Sequence, residues 1–141
     1  MQRIFQYLIV LTFAFWANLA VAQSSEVPRE PDIEATITAQ IDAFKMDDFA
    51  RAFSFASPGI QSFFGSSDRF GSMVRNGYPM VWRPGDVEYL ELRDVSGNLW
   101  QRVKIIDQSG RTHVLDYQMI RTQTGWKING VQLLPSSGVN A

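Results

Sequence analysis

Apolar positions recur with two different periods along this chain, and the change from one to the other falls at Tyr78-Pro79. Upstream, Ile33, Ile37, Ile41 and Phe44 are spaced by four, four and three residues, which puts all four on one face of a helix that Asp32 can cap. Asp47-Asp48 then mark the start of a second helix, where carboxylates meet its positive end, and Phe49, Phe53 and Ala56 continue the buried stripe. Pro58 stops that helix. With Ser57 as cap and proline tolerated at a first helical position, a short third helix is expected to reach Phe64 and to close at Gly65. Ser67 or Asp68 caps a fourth piece that carries Phe70, Met73 and Val74, with Gly77 as a left-handed stop.

Downstream the pattern alternates, and turn signals recur at Pro84-Gly85, Ser96-Gly97-Asn98, Ser109-Gly110 and Thr124-Gly125. They delimit a meander of four main strands at 86–95, 99–107, 111–121 and 126–134, with 80–83 as a short additional edge piece. In the second strand Leu99, Gln101, Val103 and Ile105 share one face, and Trp100, Arg102, Lys104 and Ile106 share the other. In the third, Leu115, Tyr117 and Met119 oppose Val114, Asp116 and Gln118. Asn129-Gly130 is a hairpin signal in other settings. A turn there would leave strands of about three residues, so a bulge or bend in the last strand is expected.

Helices followed by antiparallel strands make an α+β domain, with the N-terminal helices packed on one face of a strongly curved antiparallel sheet of four to five strands, a cone-like arrangement. The domain is expected to span 32–134. Residues 23–31, with Pro28 and Pro31 among polar groups, read as a linker, and 135–141 as a flexible tail.

Residues 1–22 read as a signal peptide: Arg3 at a weakly positive end, an apolar run from Tyr7 to Trp16, and small residues Ala20-Val21-Ala22 at a cut before Gln23. An uncleaved membrane anchor is the rival reading. Cleavage predicts a periplasmic or secreted protein that meets the membrane only transiently, and the absence of cysteine favours a bacterial periplasm over an animal extracellular space. The same absence excludes disulfides, thiolate metal sites, a cysteine nucleophile and a lipid-modified cysteine. Thirteen Lys and Arg against fourteen Asp and Glu, a formal charge of -1, give no electrostatic basis for nucleic-acid binding.

The stretch AFKMDDFARAFSFASPGIQSFFGSSDRFGSMVRNGY, with Trp100-Gln101-Arg102-Val103 and the closing Gly125-Trp126-Lys127-Ile128-Asn129-Gly130, resembles an uncharacterised bacterial family, number 4864 among the domains of unknown function. The resemblance covers roughly residues 37–134. The chain also looks like a member of the cone-shaped superfamily named for nuclear transport factor 2, which includes isomerases, dehydratases, ligand carriers and assembly modules. A shared fold does not choose among those functions.

Candidate chemistry is sparse. His113 is the sole histidine and stands near the start of its strand, where a rim position is expected; a general base there would need an orienting partner. Asp42, Asp47 and Asp48 gather at the first helix junction, where capping and solvent exposure account for them. Asp116 and Lys104, on the mixed sheet face, are placed for a cross-strand ion pair. One histidine, no cysteine and no calcium-loop pattern leave no metal-ligand set, and no cofactor motif occurs. Gln101 interrupts an apolar face, so its amide either satisfies a backbone group or points into a cavity. Tyr78, Trp82, Tyr89, Gln101, Tyr117 and Trp126 form the candidate ligand pocket, with core filling as the alternative fate of its aromatics.

Three readings follow. The first is a non-enzymatic exported domain that binds a small apolar ligand or a protein partner. The second is an isomerase- or dehydratase-type enzyme with Asp42 or His113 as base and Tyr117 or Gln101 as polarising donor. The third is a structural module that forms a homodimer through the sheet face of Trp100, Arg102, Lys104 and Ile106. Any site is expected beneath the helical segment Ala52 to Tyr78, between its Phe side chains and Gln101 or Tyr117.

Overall fold

A computed structural model describes residues 23–135; the segment 1–22, expected to be a signal peptide, and all but the first residue of the expected tail lie outside them. The elements run β1 (Ser24–Val27), α1 (Pro31–Lys45), α2 (Phe49–Ser54), α3 (Pro58–Phe64), α4 (Ser67–Gly77), α5 (Pro79–Trp82), β2 (Pro84–Val95), β3 (Asn98–Asp107), β4 (Thr112–Thr122) and β5 (Gly125–Leu133). The fold is α+β: helices, then one antiparallel sheet of order β1-β2-β3-β4-β5 that does not close on itself.

Each helix follows local rules, with some shifts at the ends. In α1 the stripe Ile33, Ile37, Ile41 and Phe44 is buried, joined by Gln40 and Ala43. Its cap is Glu30 rather than Asp32, because Pro31 takes the first helical position and moves the start back by two residues. Asp48 caps α2 by accepting from Arg51 N at 3.1 Å, and Ser57 caps α3 by accepting from Ile60 N at 3.3 Å. α3 ends at Gly65, whose φ of 77° is the left-handed conformation that glycine adopts without a Cβ penalty. Ser66, one residue before the expected pair, caps α4. Gly77 lies within α4 and is not left-handed; Tyr78 N still donates to Val74 O at 2.8 Å, and the helix stops at Pro79, which has no N–H.

The sequence expectation of an edge piece at 80–83 is corrected. Pro79 starts the single turn α5, which turns Met80 and Val81 into the core. The linker expected at 23–31 is also corrected in its first half. Ser24 to Val27 pair with β2 in register from Ser24↔Val95 to Val27↔Leu92, so β1 covers what would otherwise be an open edge. Its side chains are mostly exposed, and backbone pairing of that kind leaves no apolar period in the sequence.

Faces follow the expected parity. Gln101, Val103, Ile105, Leu115, Tyr117 and Met119 are buried toward the helices, and Asn129 is the extra residue where the β4–β5 register slips between Gln118 and Met119. The helical layer packs around Phe70, whose ring centroid lies 5.8 Å from Phe44, 5.2 Å from Phe53 and 5.6 Å from Phe64. Gly71 is fixed by the same packing: a Cβ there would stand 2.5 Å from the Phe49 ring. Among the described residues no helix is long and apolar enough to cross a membrane.

Candidate functional site

Between the helical layer and the sheet lies a cavity of about 80 Å³. α3 and α4 roof it with Ile60, Phe64, Phe70, Met73 and Val74; α1 contributes Gln40 and Phe44; β4 and β5 contribute Tyr117, Ile128, Gly130 and Val131. Ala56, Tyr78 and Val81 complete the wall. No side chain in it is charged. In this roof α3 has no fully buried residue, although its Ile60 and Phe64 pack against the core and its Gln61 donates to Phe53 O and Ala56 O. Its anchor is the strand bulge: Ser57 Oγ donates to Asn129 Oδ1 at 2.8 Å, and Asn129 Nδ2 donates to Gln118 Oε1 at 3.1 Å. The irregularity in β5 therefore ties the start of α3 to the sheet.

Six residues were candidates for a pocket, and the structure separates them. Tyr78 and Tyr117 line the cavity. Tyr78 donates its hydroxyl to Val131 O at 3.3 Å. Tyr117 is wholly buried, and its hydroxyl has no hydrogen-bond partner. Burial, reinforced by the nearby Tyr89 and Tyr78 hydroxyls, pushes its ionisation far above the usual phenol range, so it remains a neutral O–H donor.

The other four have separate roles. Gln101 is buried, and its amide nitrogen donates to Leu90 O at 3.0 Å and Arg102 O at 2.9 Å. Leu90 sits in the bulge between Tyr89 and Leu92, where the ladder leaves its carbonyl free, so Gln101 supplies a bond that the strand pairing omits. Tyr89 shares a 2.6 Å hydrogen bond with Thr38 of α1, and burial is the main reason its ionisation is pushed up. Trp82 is half-buried against the edge of the core and away from the cavity: its Nε1 donates to Asp47 Oδ1 at 2.8 Å, and Arg83 stacks 3.9 Å above its ring. Those bonds from Trp82 and Arg83 hold the Asp47 carboxyl below the usual carboxylate range. Trp126 lines a shallow surface cleft with Asp32, Phe55 and Arg121.

The groups considered for catalysis do not converge on the cavity. Asp42 is exposed beside Lys45, 3.8 Å away. His113 Nε2 lies 2.8 Å from Asp107 Oδ2 at the far end of the β3–β4 hairpin. Bonds from His113, Ser109 and the Arg111 backbone hold the Asp107 carboxyl well below the ordinary carboxylate range. Among the described residues no three His, Asp or Glu side chains gather as a metal site would require.

On the opposite sheet face the expected Lys104–Asp116 pair is replaced by a different set. Asp116 stands directly across from Arg102 and accepts from it at 3.1 and 3.0 Å, and from Arg93 at 2.6 Å. Arg102 also reaches Glu91 at 3.1 Å, and Lys104 pairs with Glu88 at 2.9 Å. Register decides this, since Lys104 faces Val114 rather than Asp116.

The family model for the domain of unknown function DUF4864 matches residues 26–141, and the chain belongs to that family. No curated protein and no solved structure matches it.

Proposed function

We propose that this domain is an exported, non-enzymatic module that binds a small apolar molecule in the cavity beneath α3 and α4. The observation that carries the reading is the cavity itself: an uncharged, largely apolar space left inside an otherwise packed core. Protein interiors are filled to near crystal density, so a void of this size forfeits dispersion contacts unless something occupies it. At about 80 Å³ it is several times the roughly 10–15 Å³ that a single water requires, and below the roughly 300–1,000 Å³ of drug-sized sites. Export is the part of the proposal that rests on the N-terminal sequence, and a cone-like wrapping of the sheet is the part that rests on the nuclear transport factor 2 resemblance.

Two alternatives find less support. An isomerase or dehydratase needs a base at the cavity, and Asp42 and His113 are each paired elsewhere. A homodimer through the face of Trp100, Arg102, Lys104 and Ile106 would meet charges already paired within the chain.

The test is a titration with 2-methylpropene, a compact hydrocarbon, followed through side-chain methyl NMR signals. Shifts confined to Ile60, Met73, Val74, Ile128 and Val131 are expected. Unshifted signals at these five residues up to the solubility of the hydrocarbon would sink the reading.

A further inference from the structure

Three tyrosines stand near one another on the helix-covered face, and their hydroxyls differ. Tyr78 donates to Val131 O, and Tyr89 is paired with Thr38. Tyr117 alone of the three has an unpaired hydroxyl, although it is 0% exposed. A donor sealed from water without a partner is an unfavourable arrangement that folding normally avoids. Neither residue paired across the strands bonds it: Gln101 turns its amide nitrogen to two backbone carbonyls, and the Val131 carbonyl receives Tyr78. Tyr117 is among the residues that line the cavity, so an acceptor held there, with a small shift of the wall, is the group that can reach it.

We infer that the ligand is a small neutral molecule, or the narrow end of a longer one, that carries a hydrogen-bond acceptor such as a carbonyl or ether oxygen, and that the Tyr117 O–H donates to that atom. This rests on the ligand-binding reading above and names the chemistry of the ligand. Three features set the class. The cavity wall has no charged side chain, so a carboxylate or an ammonium would enter unpaired and is disfavoured. The volume is about half of the roughly 150 Å³ that accommodates benzene in an engineered cavity, which selects a compact group or a chain end. The phenol stays protonated, so it keeps a proton to donate to an acceptor. Water is a poor substitute, because a buried water takes about three hydrogen bonds and the wall is mostly apolar.

The experiment compares acetone with 2-methylpropene, which has CH₂ in place of the oxygen, in the wild-type protein and in Tyr117→Phe. Affinities come from methyl NMR titration, and the carbonyl stretch of bound acetone is read by infrared difference spectroscopy. The ratio of ketone to hydrocarbon affinity is expected to be about five- to tenfold higher in the wild type than in the variant. The bound carbonyl stretch is expected at lower frequency in the wild type only. Binding of both probes with equal ratios in the two proteins and an unshifted carbonyl would overturn the acceptor assignment and leave the ligand-binding reading standing. Failure of both probes to bind either protein would overturn both. Because Phe keeps the ring that fills the core, the variant retains the fold, and the wild-type carbonyl shift tests the hydrogen bond without any variant.

Discussion

Asp116 and Tyr117 are neighbours in β4, point to opposite faces of the sheet and are both nearly inaccessible to solvent, yet they are treated in opposite ways. The Asp116 carboxylate receives three short hydrogen bonds from Arg93 and Arg102, and Glu91 extends the network. The Tyr117 hydroxyl receives nothing and gives nothing. A carboxylate cannot be buried without partners, because its desolvation exceeds what packing can offset, so the outer face must be satisfied within the chain for the sheet to exist. A phenol can be left unpaired at a cost of about 1–3 kcal/mol, small enough for the rest of the fold to carry. On the outer face the buried carboxylate is therefore satisfied within the chain, with Arg93 Nε left over as an unpaired donor, and the inner face keeps the Tyr117 donor beside a cavity.

The largest disruption is expected from Phe70→Ala, which removes the ring at the centre of the phenylalanine cluster over the cavity. It should destabilise the protein by about 3–5 kcal/mol in urea denaturation. It should also enlarge the cavity, so that 2-methylpropene binds more tightly to the folded fraction. On the other face, Asp116→Ala leaves Arg93 and Arg102 facing each other without their shared carboxylate. The arginines are partly solvated, so the loss is set at about 2–4 kcal/mol. A loss below about 0.5 kcal/mol would mean that the network adds little, and the contrast between the faces would fail.

Two conservative substitutions sharpen the comparison. Tyr117→Phe deletes an unpaired oxygen and is expected to stabilise the ligand-free protein by about 1 kcal/mol, whereas Tyr89→Phe breaks the bond to Thr38 and is expected to destabilise it by a similar amount. Thermal melts in which both variants lose stability equally would show that the Tyr117 hydroxyl is paired after all.

The smallest effect is on acid sensitivity. Asp107 has its carboxyl held below the ordinary range in the folded protein, first by His113, so the folded state binds fewer protons than the unfolded chain. The associated stability is present above the ordinary carboxylate value of about 4 and is lost as pH falls through the lower folded value. Asp107→Asn should therefore flatten the decline in stability below about pH 4. An unchanged acid limb would remove this residue from the account.

Much of the architecture can be read from side-chain periodicity, and the exceptions have identifiable causes. The stripe of α1, the cap and stop of α3 at Ser57 and Gly65, the faces of β3 and β4, and the bulge at Asn129 all depend on residue types acting over a few positions. β1 went unread because its four residues join the sheet through backbone groups that every sequence carries. α5 is a single turn, too short to show a period. In the cavity, parity correctly gives the face that Tyr117 occupies but not which aromatics reach the same depth. Trp82 is drawn outward by Asp47, a residue 35 positions earlier, and Gln101 is turned to the backbone by a register slip in β2.

By itself the sequence determined the order of the helices before the four main strands, the cap and stop of α3, and the absence of thiol chemistry, because each follows from the composition of a few adjacent residues. Only the tertiary structure decided that Arg102 and not Lys104 opposes Asp116, that β1 covers the edge of β2, and that the space under α3 and α4 remains unfilled with the Tyr117 hydroxyl unpaired. Register, edge pairing and packing depend on groups brought together from distant parts of the chain, and the volume left between a helical layer and a sheet is the difference of two large quantities that no local pattern encodes.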